Sequence, residues 1–451
     1  MKMRIVMIGA GYVGLVSGAC FSQFGHEVIC IDKDAGRVRA LEAGIIPIYE
    51  PGLDDIVASN VRAKRLSFGC DMSSAVRRAD AVFIAVGTPT RRGDGHADLT
   101  YVFEAASELA SYLDGYTVVV NKSTVPVGTG REVHAFIRAA RPDADFDVAS
   151  NPEFLREGSA IEDFQRPDRV VVGCDSERAR GVMREVYRPL YISETPILFT
   201  SRESAELIKY ASNALLATKI TFINEMADLC EKVGADVKDV ARGVGLDKRI
   251  GPKFLHAGPG FGGSCFPKDT LALLKTSQDH QATSRIVEAV VAVNDARKRA
   301  MADKIAAAFG DVRGKTVALL GLTFKPNTDD MRDAPALAIV PALQAMGARV
   351  RAYDPEGMDQ ARELMNVETC ADAYETMANA DGLVLLTEWN EFRALNLVRV
   401  GELLKRKLIV DLRNIYEPSQ MESYGFTYVS IGRRSAPAAN ATRRAEEATA
   451  G

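Results

Sequence analysis

One segment of the 451-residue chain places a single cysteine directly after a cluster of glycines, in the run FLHAGPGFGGSCFPKDT. The cysteine is Cys265, and the glycines before it are Gly258, Gly260, Gly262 and Gly263. Glycines let a backbone approach a bulky ligand where side chains would collide. Pro267 favours the first turn of a helix, so we expect Cys265 at the positive end of that helix, with Lys268 close by. Both effects favour the thiolate that attacks carbonyl carbons, and Asp269 follows within reach as a base or an orienting group.

The alternative for any free cysteine is a small, buried hydrophobic residue. This alternative explains neither the glycines nor the Lys-Asp pair beside Cys265, but it suits the other six cysteines, which lie in apolar or helical contexts: Cys20, Cys30, Cys70, Cys174, Cys230 and Cys370. An odd number of scattered cysteines without a CxxC pair argues against disulfides and zinc, and for a reducing compartment. The five histidines have no ligand-like spacing, so we expect no metal cofactor.

A second glycine-rich segment, GAGYVG, follows a predicted strand and opens a predicted helix. Gly9 permits the tight turn, Gly11 lets the backbone approach a pyrophosphate, and Gly14 lets the helix pack on the strand. Tyr12 and Val13 begin the helix, whose free N–H groups and positive dipole end suit phosphates. We therefore predict a dinucleotide site here, the alternative being a glycine-rich turn without a ligand.

The end of the second predicted strand indicates which dinucleotide binds. Asp32 lies there, where its carboxylate can accept hydrogen bonds from both ribose hydroxyls and would repel a 2′-phosphate, so NAD is favoured over NADP. Arg37, one turn into the next helix, could argue for NADP. We give it less weight because Asp32 is nearer the ribose, and we expect Arg37 to stack on adenine or to pair with solvent.

A nucleophilic cysteine beside NAD suits the oxidation of an alcohol to an acid. That oxidation removes two hydrides, and the intermediate aldehyde must be captured. A thiohemiacetal on Cys265 can lose the second hydride and become a thioester, which water then hydrolyses. An alcohol dehydrogenase that stops after one step would leave Cys265 without a role.

The composition excludes several classes of protein. A net charge of −4 gives no electrostatic footprint for nucleic acid or for an anionic membrane. The apolar N-terminus could mimic a secretory signal, but glycines interrupt it, and no run of about eighteen apolar residues could span a membrane. We therefore expect a cytoplasmic protein.

Short apolar runs alternate with helical patterns at both ends of the chain, which predicts βαβ units and parallel sheets. The strands predicted in the first half are Arg4–Ile8, Val28–Ile31, Ala81–Val86, Thr117–Val120 and Val170–Val172. Those predicted in the second half are Thr316–Leu320, Arg349–Tyr353, Gly382–Leu386 and Leu408–Asp411. A helix is predicted from Glu203 to Val233, with capping-box spacing between Thr200 and Glu203 and a stop at Gly234.

The fold class that follows is α/β, with two doubly wound, Rossmann-like domains joined by a long central helix and a helical domain. We predict domains at 1–200, 201–310 and 311–434, and a disordered tail at 435–451. The long helix carries an apolar run that is too extensive for one exposed side, and this predicts a homodimer through that helix. The residues of the run are Leu215, Leu216, Ile220, Phe222 and Ile223.

Five ordered motifs resemble those of the UDP-glucose 6-dehydrogenases, within the UDP-glucose/GDP-mannose dehydrogenase superfamily, from residue 1 to about residue 434. The motifs are GAGYVGLV, NPEFLREG, KYASNALLATKI, RIGPKFLHAGPGFGGSCFPKDT and FKPNTDDMRDAPA. The resemblance implies oxidation of UDP-glucose to UDP-glucuronate with two NAD. The same chemistry on GDP-mannose or a UDP-N-acetylhexosamine is the alternative, and a non-catalytic nucleotide-sugar-binding protein would be expected to have lost Cys265 or its partners.

The resemblance also implies catalytic roles. Cys265 is the nucleophile, and Lys209 and Asn213, four apart on one helix face, surround the reacting carbon. The alternative for Lys209 is a solvated helix lysine, which the neighbouring Tyr210 and Ala211 disfavour. Glu153 resembles the general base that activates water. Thr124, which also resembles an NAD contact, is placed to hold that water.

The remaining roles implied by the resemblance concern the two ligands. The further NAD contacts are Thr88, Glu157, Lys268 and Arg332. The substrate contacts are Phe254, Leu255, His256, Ala257, Gly258, Gly262, Arg249 and Lys325, together with Lys209, Asn213 and the segment Glu153, Phe154, Leu155, Arg156 and Glu157. We expect the chemistry in a cleft between domains.

Overall fold

The computed structural model describes residues 2–91 and 95–434, which group into two compact units. Among the described residues, unit 1 comprises 2–91, 95–212 and 271–283, and unit 2 comprises 213–270 and 284–434. The predicted domain boundaries stay a prediction, and the tail predicted to be disordered lies outside the described residues. None of the helices that the structure describes has both the length and the apolar character needed to cross a membrane.

Unit 1 is built on an eight-stranded sheet in the order β3-β2-β1-β4-β5-β6-β7-β8. Its strands are β1 Arg4–Ile8, β2 Glu27–Ile31, β3 Leu66–Gly69, β4 Ala81–Ile84, β5 Thr117–Asn121, β6 Phe146–Ser150, β7 Val170–Gly173 and β8 Ile197–Thr200. Its helices are α1 Tyr12–Gln23, α2 Ala35–Glu42, α3 Leu53–Arg62, α4 Met72–Val76, α5 Thr100–Ala110, α6 Thr129–Ala140, α7 Ala160–Gln165 and α8 Glu177–Val186, followed by a 3-10 turn at Arg188–Ser193.

Strand β1 shows why this sheet is buried on both faces. Ile5 and Met7 contribute to one hydrophobic core, and Val6 and Ile8 contribute to the other. Such a strand reads as a continuous apolar run because helices cover both sides of a parallel sheet. The strand order reverses between β1 and β4, the point at which doubly wound sheets bind ligands. The pairing of β6 with β7, Ser150 opposite Gly173, is antiparallel.

Unit 2 contains a six-stranded parallel sheet in the order β11-β10-β9-β12-β13-β14. Its strands are β9 Thr316–Leu320, β10 Arg349–Tyr353, β11 Glu368–Thr369, β12 Gly382–Leu385, β13 Leu408–Asp411 and β14 Thr427–Ser430. The remaining helices of the chain are α9 Arg202–Val233, α10 Val237–Gly245, α11 Phe266–Asp279, α12 Arg285–Phe309, α13 Ala336–Ala345, α14 Met358–Leu364, α15 Ala373–Met377, α16 Asn390–Arg393, α17 Leu397–Leu403 and α18 Pro418–Ser423. The division between the units falls within α9 and α11.

Helix α9 confirms the predicted long helix, at 32 residues and therefore roughly 48 Å. The predicted cap was wrong by one residue, since the backbone N–H of Ser204 donates to Ser201 Oγ at 3.1 Å and the helix begins at Arg202. Glu206, buried one turn later, accepts hydrogen bonds from Gly128 N at 2.7 Å and Gly130 N at 2.8 Å. These bonds fix the first turns of α9 to the start of α6.

The two α/β sheets confirm the predicted fold class, but five strands were not predicted. They are β3, β6, β8, β11 and β14, which are short, carry polar residues, or lie at a sheet edge. The predicted strands fall where the structure has them, with ends that differ by one or two residues. The central strands gave the stronger signal because both of their faces are buried.

Candidate active site

The loop between β1 and α1 has the close backbone approaches that require glycine. Gly9 has φ of +100°, and a Cβ there would meet the Ala85 carbonyl oxygen at 2.7 Å. A Cβ on Gly14 would meet the Gly9 carbonyl oxygen at 1.8 Å. At Gly11, by contrast, a Cβ would meet nothing within 4 Å, so this backbone is open to a ligand. The loop and the start of α1, which carries Tyr12 and Val13, therefore fit the pyrophosphate of a dinucleotide.

Asp32, directly after β2, fixes this loop. Its carboxylate accepts hydrogen bonds from Ala10 N at 2.8 Å and from Asp34 N at 2.9 Å. Arg37 also donates to Asp32, at 3.1 Å, so its partner is a carboxylate rather than solvent alone, and its stacking on adenine stays a prediction. The first turn of α2 places the Arg37 guanidinium beside the Asp32 carboxylate, and its positive charge offsets the negative charge of Asp32. A ribose 2′-phosphate would still meet Asp32, in agreement with NAD.

Glu50 was not singled out by the sequence, yet it joins two parts of the cofactor region. It is buried and accepts hydrogen bonds from Gly158 N at 2.6 Å and Ala160 N at 2.8 Å. The Tyr12 hydroxyl donates to the same carboxylate. Burial, with Glu50 next in effect, raises the pKa of Tyr12, so the phenol stays protonated. Glu50 thus ties the start of α1 to the loop that follows Glu157.

The loops after β4 and β5 are joined by hydroxyl groups. Thr88 Oγ1 donates to the Thr124 carbonyl oxygen at 3.0 Å, and Ser123 Oγ donates to the Val86 carbonyl oxygen at 2.7 Å. Both loops lie at the carboxyl edge of the sheet, on the side of Gly9 and Asp32. Thr88 is buried and Thr124 is half-buried.

The carboxylate of Glu153, three residues after β6, forms a buried ion pair with Lys209 of α9. The distance is 2.9 Å, and the side chains are 6% and 3% exposed. The solvated alternative for Lys209 is therefore wrong. Tyr210 is buried as expected, but Ala211 is exposed. Burial alone would raise the pKa of Glu153, yet the Lys209 charge and hydrogen bond, with the Leu155 N–H, lower it below its usual value.

Other residues of the NPEFLREG segment have structural partners. The Arg156 guanidinium forms an ion pair with Asp163 at 2.6 Å. The Phe154 ring lies 5.4 Å from Lys209 Nζ and 3.7 Å from the guanidinium carbon of Arg169. Leu155 and Glu157 are half-buried, and Leu155 N donates to Glu153 at 2.5 Å. The segment therefore holds Glu153 through its own backbone.

In unit 2, Cys265 directly precedes α11, and its carbonyl oxygen accepts from Asp269 N at 2.8 Å. This confirms the predicted helix start. The Asp269 carboxylate is buried and accepts from Asn213 Nδ2 at 2.6 Å and Lys268 Nζ at 2.8 Å. The Asp269 carboxylate thus lies between two donors, a geometry that suits an orienting group better than a free base.

Cys265 is half-buried, with Ser264 Oγ 3.5 Å from its sulfur. Most of the other cysteines are buried, and burial raises the pKa of Cys20 and Cys30 to about 12. These residues behave as hydrophobic side chains. Cys70 is exposed, so the expectation of apolar packing was wrong for it.

Two of the glycines before Cys265 pack closely within unit 2, and the expectation that these glycines make room for a ligand stays a prediction. A Cβ on Gly262 would meet the Asp333 carbonyl oxygen at 2.4 Å, and one on Gly263 would meet the Phe324 ring at 2.7 Å. Gly258 is held from both sides, its N–H by Asn224 at 2.8 Å and its carbonyl by Arg297 at 2.6 Å. The cysteine loop is thus fixed by contacts with its own unit.

The candidate substrate residues of unit 2 differ in exposure. Leu255 and Ala257 are buried and His256 is exposed, while Phe254 has φ of +66°, a conformation that bulky residues rarely adopt. Arg249 is 89% exposed and pairs with Asp247 at 2.6 Å. In the loop after β9, Lys325 lies over the Phe324 ring at 5.4 Å, and Arg332 pairs with Asp330 at 2.8 Å.

Comparison with known proteins matches three successive domains of one family, the UDP-glucose/GDP-mannose dehydrogenases. The NAD-binding domain matches residues 3–191, the central domain residues 203–296 and the UDP-binding domain residues 318–418. The chain belongs to this family. It is an NAD-dependent oxidoreductase.

Individual members of the family align with nearly the whole chain. A UDP-glucose 6-dehydrogenase of Rhizobium meliloti is 66% identical, over 96% of this chain and all of the relative. The UDP-glucose 6-dehydrogenase TuaD of Bacillus subtilis is 50% identical, over 95% of this chain and 93% of the relative. The solved structure of a UDP-glucose dehydrogenase from Pyrobaculum islandicum has 38% identity and a TM-score of 0.88, with 97% of this chain and 98% of that chain covered.

The Glu50 bonds generate a prediction about the cofactor site of this family member. Glu50→Gln replaces a carboxylate that accepts from three donors by a neutral amide. The loss of hydrogen bonds to a charged group destabilises this region by about 1.5–3 kcal/mol. We expect NAD affinity, measured by titration calorimetry, to fall by about tenfold or more. Glu42→Gln, at an exposed position at the end of α2, is the control and should bind NAD normally. A folded Glu50→Gln protein with unchanged NAD affinity would contradict the role given to Glu50.

Proposed function

We propose that the protein oxidises UDP-glucose to UDP-glucuronate through a covalent intermediate on Cys265. The observation that carries the proposal is the position of Cys265, half-buried at the start of α11 beside the buried Asp269 ion pair. The 66% identity to a protein named UDP-glucose 6-dehydrogenase supports the choice of substrate. The overall conversion consumes one water and two NAD, and it yields UDP-glucuronate, two NADH and protons.

In the first oxidation, the primary alcohol loses a hydride and a proton and becomes an aldehyde. NAD, when bound, would supply the hydride acceptor for each oxidation, and a second NAD would have to replace the first NADH between the two. Lys209 is proposed to stabilise the alkoxide oxygen, since a buried ammonium interacts strongly with developing negative charge. Asn213 is proposed to donate to the same oxygen through its amide, while Asp269 fixes the orientation of that amide.

In the second part of the reaction, the Cys265 thiolate adds to the aldehyde carbon and forms a thiohemiacetal. Loss of the second hydride gives a thioester. Glu153 is proposed to take a proton from the water that attacks the thioester, with Thr124 holding that water. The carbon–sulfur bond then breaks and releases the carboxylate and the thiol. The pKa of Glu153, held below its usual value, keeps the base ionised near neutral pH.

The ligand contacts are proposed on the same basis. Gly9, Gly11, Gly14 and Asp32 would hold the adenosine and pyrophosphate of NAD, with further contacts from Tyr12, Val13, Arg37, Thr88, Thr124, Glu157, Lys268 and Arg332. The UDP-sugar would lie against the segments 153–157 and 254–258, with Gly262, Arg249 and Lys325. The match of residues 318–418 to a UDP-binding domain favours a UDP-sugar over GDP-mannose.

We also propose a homodimer formed through α9. Leu215 is 64% exposed, Phe222 46% and Leu229 50%. These residues are seven apart, so they lie along one side of the helix, a spacing typical of helix–helix seams. Of the apolar run predicted from the sequence, Ile223 is buried within its own unit instead. A second copy of the chain would cover this stripe.

The central prediction of the proposal is stoichiometric. The purified protein, given limiting UDP-glucose and excess NAD, should release two NADH per sugar and free UDP-glucuronate, because the aldehyde is captured and oxidised again. Absorbance of NADH and chromatography of the sugar nucleotide measure both quantities. GDP-mannose and a UDP-N-acetylhexosamine serve as controls and should react far more slowly. One NADH per sugar, with aldehyde accumulating, would reject the covalent step.

The dimer is tested by sedimentation velocity at micromolar protein. We expect the wild type to sediment as a dimer and a variant with Leu215→Glu and Phe222→Glu to sediment as a monomer, since charges would face each other across the seam. Val398→Glu, at an exposed apolar position of α17, is the matched control and should leave the assembly unchanged. A monomeric wild type with full activity would contradict the proposal.

A further inference from the structure

Lys122 is a buried cation that none of the steps above uses. It is the first residue after β5, and its side chain is 4% exposed. Its ammonium donates to Asn151 Oδ1 at 3.1 Å and to the Tyr187 hydroxyl at 3.2 Å. It also lies 5.9 Å from the ring centres of Phe164 and Tyr187. All of these partners are neutral, and a buried charge normally requires a counter-charge.

The counter-charge is found across a small cavity of about 40 Å³, whose wall includes both Lys122 and Glu153. Asp163, the other carboxylate of that wall, is already paired with Arg156 at 2.6 Å. The remaining charged or titratable groups there are Arg169, Tyr187 and, bonded to Glu153, Lys209. Glu153 is therefore the carboxylate on which the charge of Lys122 acts.

We propose that Lys122 is a positioning residue for the hydrolytic step, a second buried cation that together with Lys209 holds Glu153 as a carboxylate. The inference rests on the proposed function, in which Glu153 activates water. Asn151 fixes the arrangement, because its amide nitrogen donates to the Val171 carbonyl at 2.7 Å and so turns Oδ1 toward Lys122. The carboxyl ends of β5 and β6 thus bring the cation and the carboxylate to one cavity.

A second cation near Glu153 is useful because Lys209 is also proposed to stabilise the substrate oxygen. When an alkoxide or oxyanion of the substrate forms beside Lys209, its negative charge opposes the ionisation of Glu153. Lys122 makes no contact of that kind, and its charge continues to favour the ionised base. Burial, opposed by the charge of Glu153 and reinforced by that of Lys209, lowers the pKa of Lys122 to about 8, so the ammonium remains charged at neutral pH.

The test compares kcat as a function of pH in the wild type, Lys122→Met and Lys122→Arg, with UDP-glucose and NAD. Methionine has a similar length without the charge, and the Tyr187 hydroxyl can still donate to Asn151, at 2.5 Å. We expect the acid limb of Lys122→Met to move upward by about one pH unit, because Glu153 loses a favourable charge. Lys122→Arg keeps the charge and should keep the wild-type acid limb. Lys405→Met, an exposed lysine paired with Asp381, is the control.

A loss of rate that is equal at every pH, without movement of the acid limb, would overturn the inference and leave Lys122 a structural residue. If Lys122→Met does not fold, Lys122→Gln carries the same test, and failure of both neutral variants while Lys122→Arg folds would also overturn it. A wild type without UDP-glucose-dependent NADH would reject the proposed function instead. In that case the pKa of the Glu153 carboxyl is measured directly by infrared titration, with the Glu153 band assigned from its loss in Glu153→Gln. A raised pKa in Lys122→Met supports the inference, and an unchanged pKa overturns it.

Discussion

The carboxylate of Glu153 is removed from water by the fold of unit 1, and a buried carboxylate is tolerated only where a cation and hydrogen-bond donors compensate for lost hydration. Lys209 supplies the cation at 2.9 Å, so the first turns of α9 must lie over the end of β6. The bonds of Glu206 to Gly128 and Gly130 hold those turns in place. Removing either partner of such a pair typically costs about 3–5 kcal/mol, so the requirement is structural as well as chemical.

The two α/β sheets carry an aspartate at the same position, but the surroundings of the two carboxylates differ. Asp32 and Asp354 both follow the second strand of their sheet. Asp32 lies beside the open backbone of Gly11, whereas Asp354 is fully buried. The Asp354 carboxylate accepts hydrogen bonds from Leu322 N, Thr323 N and Trp389 Nε1, all within unit 2. The sheet of unit 2 therefore has no carboxylate at this position to offer a ribose.

Sequence patterns predicted the fold class, the central strands, the long helix and the helix start beside Cys265, because each rests on local periodicity or on glycine and proline chemistry. They could not predict the roles of Glu50 and Lys122, because these depend on partners far away in the sequence. Gly158, a partner of Glu50, lies 108 residues away, and the partners of Lys122 lie 29 and 65 residues away. Nor could sequence patterns predict that Gly262 and Gly263 pack against residues 324–334 of the same unit. Long-range packing decides such cases.

The covalent step on Cys265 is the claim on which the account depends, and intact-mass analysis of Cys265→Ser tests it most directly. Serine keeps nearly the same shape, so UDP-glucose and NAD should still bind, but its hydroxyl ionises far less readily than a thiol. The account predicts that steady turnover nearly vanishes, that a small and slow release of NADH remains, and that a protein-bound uronyl ester accumulates, because an oxygen ester hydrolyses more slowly than a thioester. Near-normal turnover by the serine variant, without an adduct, would contradict the account and leave Cys265 a packing residue.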